Sequence, residues 1–491
     1  MPKVSIKKNF IYNTLYEILA IISPLITAPY VSRIFGADGV GVYSYTSAMA
    51  SYFALFAALG IKTYGQREIA QCRDDKAAAS KLFWELELMC ISTTIFSLII
   101  WVFLILFSKE NAVYYTILTM TVVATAFDIS WFWKGYEQYG FIVIRNSFIK
   151  IAGIVLLFAF VHEKSDLILY TALIASTGLI GNISMWAHLR KYLVKINWKE
   201  LRLKHHYQET MVYFVPTIAT SIYTILDKAM IGWITKNDFQ NGYYEQATKI
   251  VNICKTVVIS LNTVLSSRIS YLFSKQAHDE IKQKMSDALN FILLVGIPLM
   301  FGVMGIARTF VPFFFGEGFE ETATLLYIMS PLVLIIALSN CYGGLYFTPS
   351  GQRARSNKGI IAGAVVNLIL NAVLIYPFQS YGAAAASIAA ELTVTGMYIF
   401  MSRDYFDSTC LLRYAWKKLI AAAAMLGVVI ALGYKISGSG LIILVTQIIA
   451  GCLIYVLLLL LLHDRFFIEQ SRKILSHVFK KKSNKKINKG A

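Results

Sequence analysis

The chain has 491 residues, of which 57% are hydrophobic and only 15% charged, with a mean hydropathy of +0.59. A water-soluble multidomain enzyme of this length carries far more charge, so composition excludes that class. The balance of 46 Lys and Arg against 28 Asp and Glu leaves +18, yet the cations lie between apolar stretches and no nucleic-acid-reading motif accompanies them, which excludes a nucleic-acid partner.

Fourteen apolar stretches are long enough to cross a hydrocarbon core about 30 Å thick as helices. They are predicted at 10–31, 40–61, 83–107, 112–133, 142–161, 167–189, 209–235, 242–265, 287–310, 322–347, 359–378, 382–402, 417–434 and 441–462. The fold class is therefore an all-α polytopic membrane protein of about 14 transmembrane helices. Lys3, Lys7 and Lys8 before the first run imitate a signal peptide, but Glu17 interrupts that run, and an uncleaved first span is expected. Lys and Arg concentrate at the N-terminus, in the even-numbered loops and in the tail, so both termini are expected to be cytoplasmic. The stretch from Lys480 to Lys489 reads as a basic, membrane-proximal tail. Cys72, Cys90, Cys254, Cys341, Cys410 and Cys452 have no CxxC spacing and no nearby His, so they read as packing residues without metal or disulfide.

Two internal echoes point to duplication. Pro24, Thr27 and Gly39-Val-Gly41-Val-Tyr43 in and after span 1 match Pro216, Thr220 and Gly242-Tyr-Tyr244 in and after span 7. Gly140-Phe-Ile-Val-Ile-Arg145 before span 5 matches Gly351-Gln-Arg-Ala-Arg355 before span 11. A six-span unit repeated once enters from the same side each time, so the copies are expected to be parallel repeats. The expected divisions are 1–204 (spans 1–6), 205–404 (spans 7–12), 405–463 (accessory spans 13 and 14, peripheral in appearance) and 464–491 (the cytoplasmic tail).

Polar residues inside these spans recur at helical spacing. Span 8 carries Glu245, Lys249, Asn252, Thr256, Ser260 and Thr263 on one face, with Lys255 beside it. Span 7 carries Tyr213, Thr217, Thr220, Ser221, Thr224, Asp227 and Lys228. A Lys, Arg or Asp at the centre of a membrane helix costs roughly 2.5–3.5 kcal/mol on insertion scales, so each needs a partner or a purpose. One reading is pairing, of Glu245 with Lys249 at i,i+4 and of Asp227 with a base across the contact of spans 7 and 8. The other is a cation cluster of Lys228, Lys249 and Lys255 that receives an anionic substrate. Buried carboxylates that take up and release a coupling ion, H+ or Na+, are sought among Glu17, Asp128, Asp227, Glu245 and Glu391. Gly359, Gly363, Asn367 and Asn371 along span 11 read as close packing with amide hydrogen bonds. Pro24, Pro29, Pro216 and Pro298 are expected to bend or break their helices.

Enzymatic and ATP-driven roles find little support. The odd-numbered loops are all short, no Gly-Lys dipeptide exists to build a P-loop, and His162 is the single histidine expected near the outer face. A membrane enzyme of envelope polysaccharide synthesis remains the alternative from another class. The nearer alternative is a cation-coupled multidrug or organic-cation antiporter, which calls for a net acidic cavity. Spans 7 and 8 instead set Asp227 and Glu245 against Lys228, Lys249 and Lys255.

Several of these motifs carry a family likeness. Pro24-Leu-Ile-Thr-Ala-Pro-Tyr-Val-Ser-Arg33-Ile-Phe-Gly36-Ala-Asp-Gly39-Val-Gly41-Val-Tyr43-Ser-Tyr45 strongly resembles the first-span signature of Wzx-type oligosaccharide flippases. So do Tyr64-Gly-Gln-Arg67-Glu-Ile-Ala70, Asp227-Lys228, Gly242-Tyr-Tyr244-Glu245-Gln-Ala-Thr-Lys249-Ile and the Gly351-Gln segment, so that the likeness covers nearly the whole chain. That family belongs to the multidrug/oligosaccharidyl-lipid/polysaccharide exporter superfamily. The resemblance implies two six-helix lobes plus two accessory helices in the bacterial cytoplasmic membrane. It implies alternating access that moves undecaprenyl-pyrophosphate-linked glycan repeat units to the outer leaflet for capsule, exopolysaccharide or O-antigen assembly, with polysaccharide polymerases as partners. By the same likeness Arg33, Arg67, Lys228, Lys249 and Lys255 are the candidates for pyrophosphate, and Tyr43, Asn252 and Thr256 for sugar.

Overall fold

The computed structural model describes residues 6–221, 225–406, 409–436, 438–473 and 476, and among them it is helical throughout, without strands. The helices are α1 (Ile6–Ala58), α2 (Ile61–Cys72), α3 (Lys76–Phe107), α4 (Ala112–Ala126), α5 (Ser130–Gly135), α6 (Tyr139–Phe160), α7 (Leu167–Ser184) and α8 (Leu203–Ser221). They continue with α9 (Asp227–Thr235), α10 (Asp238–Ser274), α11 (His278–Phe315), α12 (Glu320–Met329), α13 (Pro331–Cys341), α14 (Arg353–Ser402), α15 (Thr409–Lys435) and α16 (Gly440–Leu461). Ten helical stretches among the described residues meet a membrane-crossing criterion of length and hydropathy. Two of these, containing α1 and α14, each hold two of the predicted spans, while α8 and α10 are helical but more polar.

The connection predicted between spans 1 and 2 contracts to a single residue. Gly36 adopts φ 67° inside α1, a conformation that costs a residue with a Cβ but not glycine. Spans 11 and 12 are likewise joined at Gln379, with φ 51°, inside α14. The prolines expected to bend or break their helices do not end them. Pro24, Pro29 and Pro298 sit inside helices that run on past them, and α8 runs on through position 216 to Ser221. Span 10 is assembled from α12, α13 and a π-helical turn at Tyr342–Phe347. Span 4 ends early, at Ala126, and Asp128 falls in the turn before the short α5.

The chain divides into two compact units. The first comprises 1–246, 315–319 and 364–387. One apolar cluster in it joins Tyr64 and Ile69 of α2, Phe83 and Leu86 of α3, and Trp131, Phe132 and Trp133 of α5, with the Phe83, Trp131, Phe132 and Trp133 rings in contact at 5–6 Å. Within this unit α1 and the start of α10 touch backbone to backbone. A Cβ on Gly41 would lie 1.7 Å from the Asp238 carbonyl oxygen, and one on Gly242 would lie 1.9 Å from the Ala37 carbonyl oxygen. The two glycine motifs that echo one another in the sequence thus meet each other in space.

The second unit comprises 247–314, 320–363 and 388–491. Here the accessory spans are bound to α11 on one face: Leu293 and Ile297 pack with Ala421, Met425, Val429, Tyr455 and Leu459. Lys418, 1% exposed, is held by Asn290 Oδ1 at 2.9 Å, the Tyr414 carbonyl at 2.8 Å and Asp464 Oδ2 at 3.0 Å. The peripheral appearance of spans 13 and 14 applies to their outer faces, where Ile442, Leu453, Leu457 and Leu461 are exposed and suit lipid.

Candidate functional site

The site residues of span 7 and early span 8 converge in the first unit. The α9–α10 hairpin is tight because Lys236 takes a left-handed conformation and Asn237 caps α10, its Oδ1 accepting from the Phe239 N–H at 3.1 Å. This turn brings Lys228 to Glu245, Nζ to Oε2 at 2.5 Å, with side chains 21% and 14% exposed. Ser44 of α1 donates to the same carboxylate oxygen at 3.1 Å. Tyr43 lies beside them and sets its ring edge on Tyr170 of α7 at 4.9 Å. An ion pair largely withdrawn from solvent, with a hydroxyl and a tyrosine alongside, can exchange its internal partner for an external anion or cation.

Asp227 takes a different role from the one its spacing predicts. Among the described residues it meets no base in its hydrogen-bonding shell; it is 1% exposed and accepts from Tyr244 Oη at 2.5 Å, from Asn371 Nδ2 at 2.6 Å and from Ser387 Oγ. Asn371 also donates to Asn367 at 3.1 Å, so the amide ladder of span 11 packs as expected and ends on this carboxylate. The lysine goes to Glu245 instead.

The other candidates are placed separately. Lys249, Asn252, Lys255 and Thr256 follow on α10 but belong to the second unit, where Asn252 and Thr256 are exposed and the Thr256 hydroxyl returns to the Asn252 carbonyl at 2.7 Å. Lys255 and Glu391 of that unit act on one another electrostatically, and Glu391 is 6% exposed with the Ser339 hydroxyl beside it. Arg33 is exposed near the Gly36 break, its Cγ 3.2 Å from where a Cβ of Gly316 would sit. Arg67 lies on α2, outside the predicted spans, and donates to the Tyr213 hydroxyl. Asp128 is a structural anchor in the α4–α5 turn, paired with Lys62 at 2.7 Å and accepting from the Ser130 N–H at 3.1 Å. The Glu17 side chain lies outside the described residues.

Two features are not evident from the sequence. Glu85 of α3, within predicted span 3, binds His206 Nε2 at 3.0 Å and the Arg202 N–H at 2.8 Å, while Tyr64 bonds His206 Nδ1 at 2.9 Å. This buried triad ties α2, α3 and α8 together; its one sequence cue is a carboxylate inside an apolar run. The second feature is a cavity of 410 Å³ bounded by α1, α6 and α7. Arg145 and Lys150, both inside predicted span 5, line it. Arg145 Nε and Nη1 are buried and make no hydrogen bond among the described residues, and Nη2 reaches Asn182 Oδ1 only at 3.5 Å. A guanidinium within a membrane helix, at a cost of roughly 2.5–3.5 kcal/mol on insertion scales, stands here without a close carboxylate contact among the described residues.

The model of one family, described as polysaccharide biosynthesis protein, matches residues 6–273. Over 409 residues, 82% of this chain and 98% of the relative, the sequence is 24% identical to the "Putative O-antigen transporter" of Escherichia coli (strain K12). It is 22% identical over 308 residues, 59% of this chain and 63% of the relative, to the "Probable low-salt glycan biosynthesis flippase Agl15" of Haloferax volcanii. Among solved structures, the lipid II flippase MurJ in an inward closed conformation superposes with a TM-score of 0.72 at 16% identity, covering 93% of this chain and 99% of that one. An inward-facing multidrug resistance MATE family transporter of the MOP superfamily superposes with a TM-score of 0.56 at 12% identity, covering 80% and 99%. The fold is that of MOP-type transporters.

Proposed function

We propose a function on one premise, that the chain belongs to the polysaccharide biosynthesis protein family: it carries a lipid-linked oligosaccharide across the membrane in which it is embedded. The substrate is an undecaprenyl-pyrophosphate-linked repeat unit, moved from the inner to the outer leaflet of the cytoplasmic membrane for surface polysaccharide assembly. The observation that carries this reading is the likeness to an O-antigen transporter along 98% of that protein, in a chain that holds Lys228 within a span.

Chemistry supports the substrate class. A pyrophosphate cannot enter hydrocarbon unaccompanied, and fixed cations with neighbouring hydroxyl groups supply charge-assisted hydrogen bonds in place of water. Lys228, released from Glu245, is the first such cation, and Arg33, Arg67, Lys249 and Lys255 are the others. Tyr43, Asn252 and Thr256 contact sugar. The cycle proceeds by alternating access, reset by a proton or sodium gradient through carboxylates such as Glu245 and Glu391. Polysaccharide polymerases receive the product.

Deleting the gene and measuring surface polysaccharide together with lipid-linked repeat units tests this reading. Loss of polymer with repeat units trapped in the inner leaflet, both reversed by the wild-type gene, is the expected result. Unchanged polymer and unchanged lipid-linked intermediates in the deletion strain contradict it.

A further inference from the structure

The geometry points to a second recognition site in this chain: the cavity bounded by α1, α6 and α7 binds the phosphoryl group of a membrane lipid through Arg145 and Lys150. This goes beyond the export reading, and its test by binding does not depend on transport.

The α6 wall of the cavity has a charged end and an apolar end, while Ser23, Thr27, Tyr170 and Thr177 bring hydroxyls to the other walls. Along α6 its lining runs Arg145, Asn146, Lys150, then Gly153, Ile154 and Leu157, a single helix face that passes from cationic to greasy. The opposite face of α6 carries Ile144, Phe148, Ile151 and Val155, all at least half exposed and suited to lipid. The charged residues therefore point inward by design of the stripe. The charged end lies near the start of α6 and the end of α7, where Asn182 sits in the last turn, two residues before Ser184.

Three observations identify the ligand class. First, Arg145 presents two buried nitrogens without a hydrogen bond among the described residues, and Lys150 is held only loosely, 6.0 Å over the Tyr16 ring. Asp128 acts on Arg145 electrostatically, but its oxygens are already engaged by Lys62 and the Ser130 N–H. None of the described lining residues is acidic. Second, the fork of an Arg beside the point charge of a Lys matches a tetrahedral phosphoryl group. Third, the apolar end is kept open by glycine: a Cβ at Gly153 or Gly178 would meet nothing within 4 Å. Free phosphate would leave that end empty, whereas a lipid phosphate fills both. The source is either the isoprenoid pyrophosphate of the transported substrate or an anionic phospholipid of the bilayer.

The full-length protein in phosphatidylcholine nanodiscs, titrated with farnesyl pyrophosphate and with farnesol, tests the site. Saturable binding of the pyrophosphate but not the alcohol is expected. Arg145→Gln with Lys150→Gln weakens it at least tenfold, and so does Gly178→Leu, which fills the apolar end and leaves both charges in place. Unchanged thermal unfolding separates loss of the site from loss of the fold. Replacing a fraction of the phosphatidylcholine with phosphatidylglycerol distinguishes the sources: competition assigns the pocket to phospholipid, and undiminished binding assigns it to the isoprenoid pyrophosphate. Wild-type affinity in both the charge variant and Gly178→Leu, or no saturable binding by the wild type, overturns the proposal.

Discussion

Lys228 and Glu245 show how much a single side chain commits. Their ion pair is largely withdrawn from solvent, so removing Lys228 takes from Glu245 its partner at 2.5 Å inside a span, while Ser44 still donates to the carboxylate. Lys228→Ala is expected to destabilise the protein by about 3 kcal/mol, the low end of the range for broken buried pairs. Lys228→Met combined with Glu245→Gln recovers most of that loss; equal unfolding midpoints in detergent for the single and double variants would argue against the pair. Asp227 is tested in the same way. Asp227→Ala strands the donors Tyr244, Asn371 and Ser387 and is expected to cost about 3 kcal/mol, whereas Asp227→Asn retains an acceptor and costs less. The sequence makes each of these groups visible, because an ionisable residue in an apolar run stands out. Their partners are not visible: the period of a stripe tells which side of a helix is wet but not which helix faces it. Asp227 and Glu245 are both near Lys228, and only the α9–α10 turn decides between them. Arg145, inside predicted span 5, is legible by the same rule, but that two of its nitrogens lack a partner among the described residues is seen only in the structure.

At the scale of elements, the span positions follow from apolar length, while the joints do not. Gly36 replaces a predicted loop, and prolines expected to bend or break helices sit inside ones that run on past them. The Gly41 and Gly242 motifs are legible as an echo, but their meaning as one crossing requires the structure. Adding a methyl at either must push the two backbones apart. Gly41→Ala and Gly242→Ala are expected to lower the folded yield severely, while Gly427→Ala, in open space on α15, stabilises by up to about 1 kcal/mol through helix propensity. Size-exclusion profiles and thermal midpoints of the three variants check this contrast. Comparable behaviour of all three would mean that the crossing is not tight. The accessory spans make a similar point, since an apolar sequence gives no sign that Lys418 and Asp464, one at each edge, pair with one another or that Lys418 also donates to Asn290.

For the whole molecule, orientation rests on charge asymmetry, which is legible without any structure because it acts during insertion. A cysteine introduced at Lys275 in a cysteine-free background is expected to be shielded from an impermeant thiol reagent in intact cells, and one at Glu317 to be labelled. The reverse pattern would invert the topology. Family membership places the chain in polysaccharide biosynthesis, and the central claim is that it moves a lipid-linked pyrophosphate oligosaccharide. The most direct measurement is transfer of such a lipid between the leaflets of liposomes containing the purified protein. Transfer well above that of protein-free liposomes is expected, reduced at least tenfold by Lys228→Ala in a folded preparation. Transfer by the folded wild-type protein no faster than in protein-free liposomes, with and without an imposed proton or sodium gradient, would contradict it.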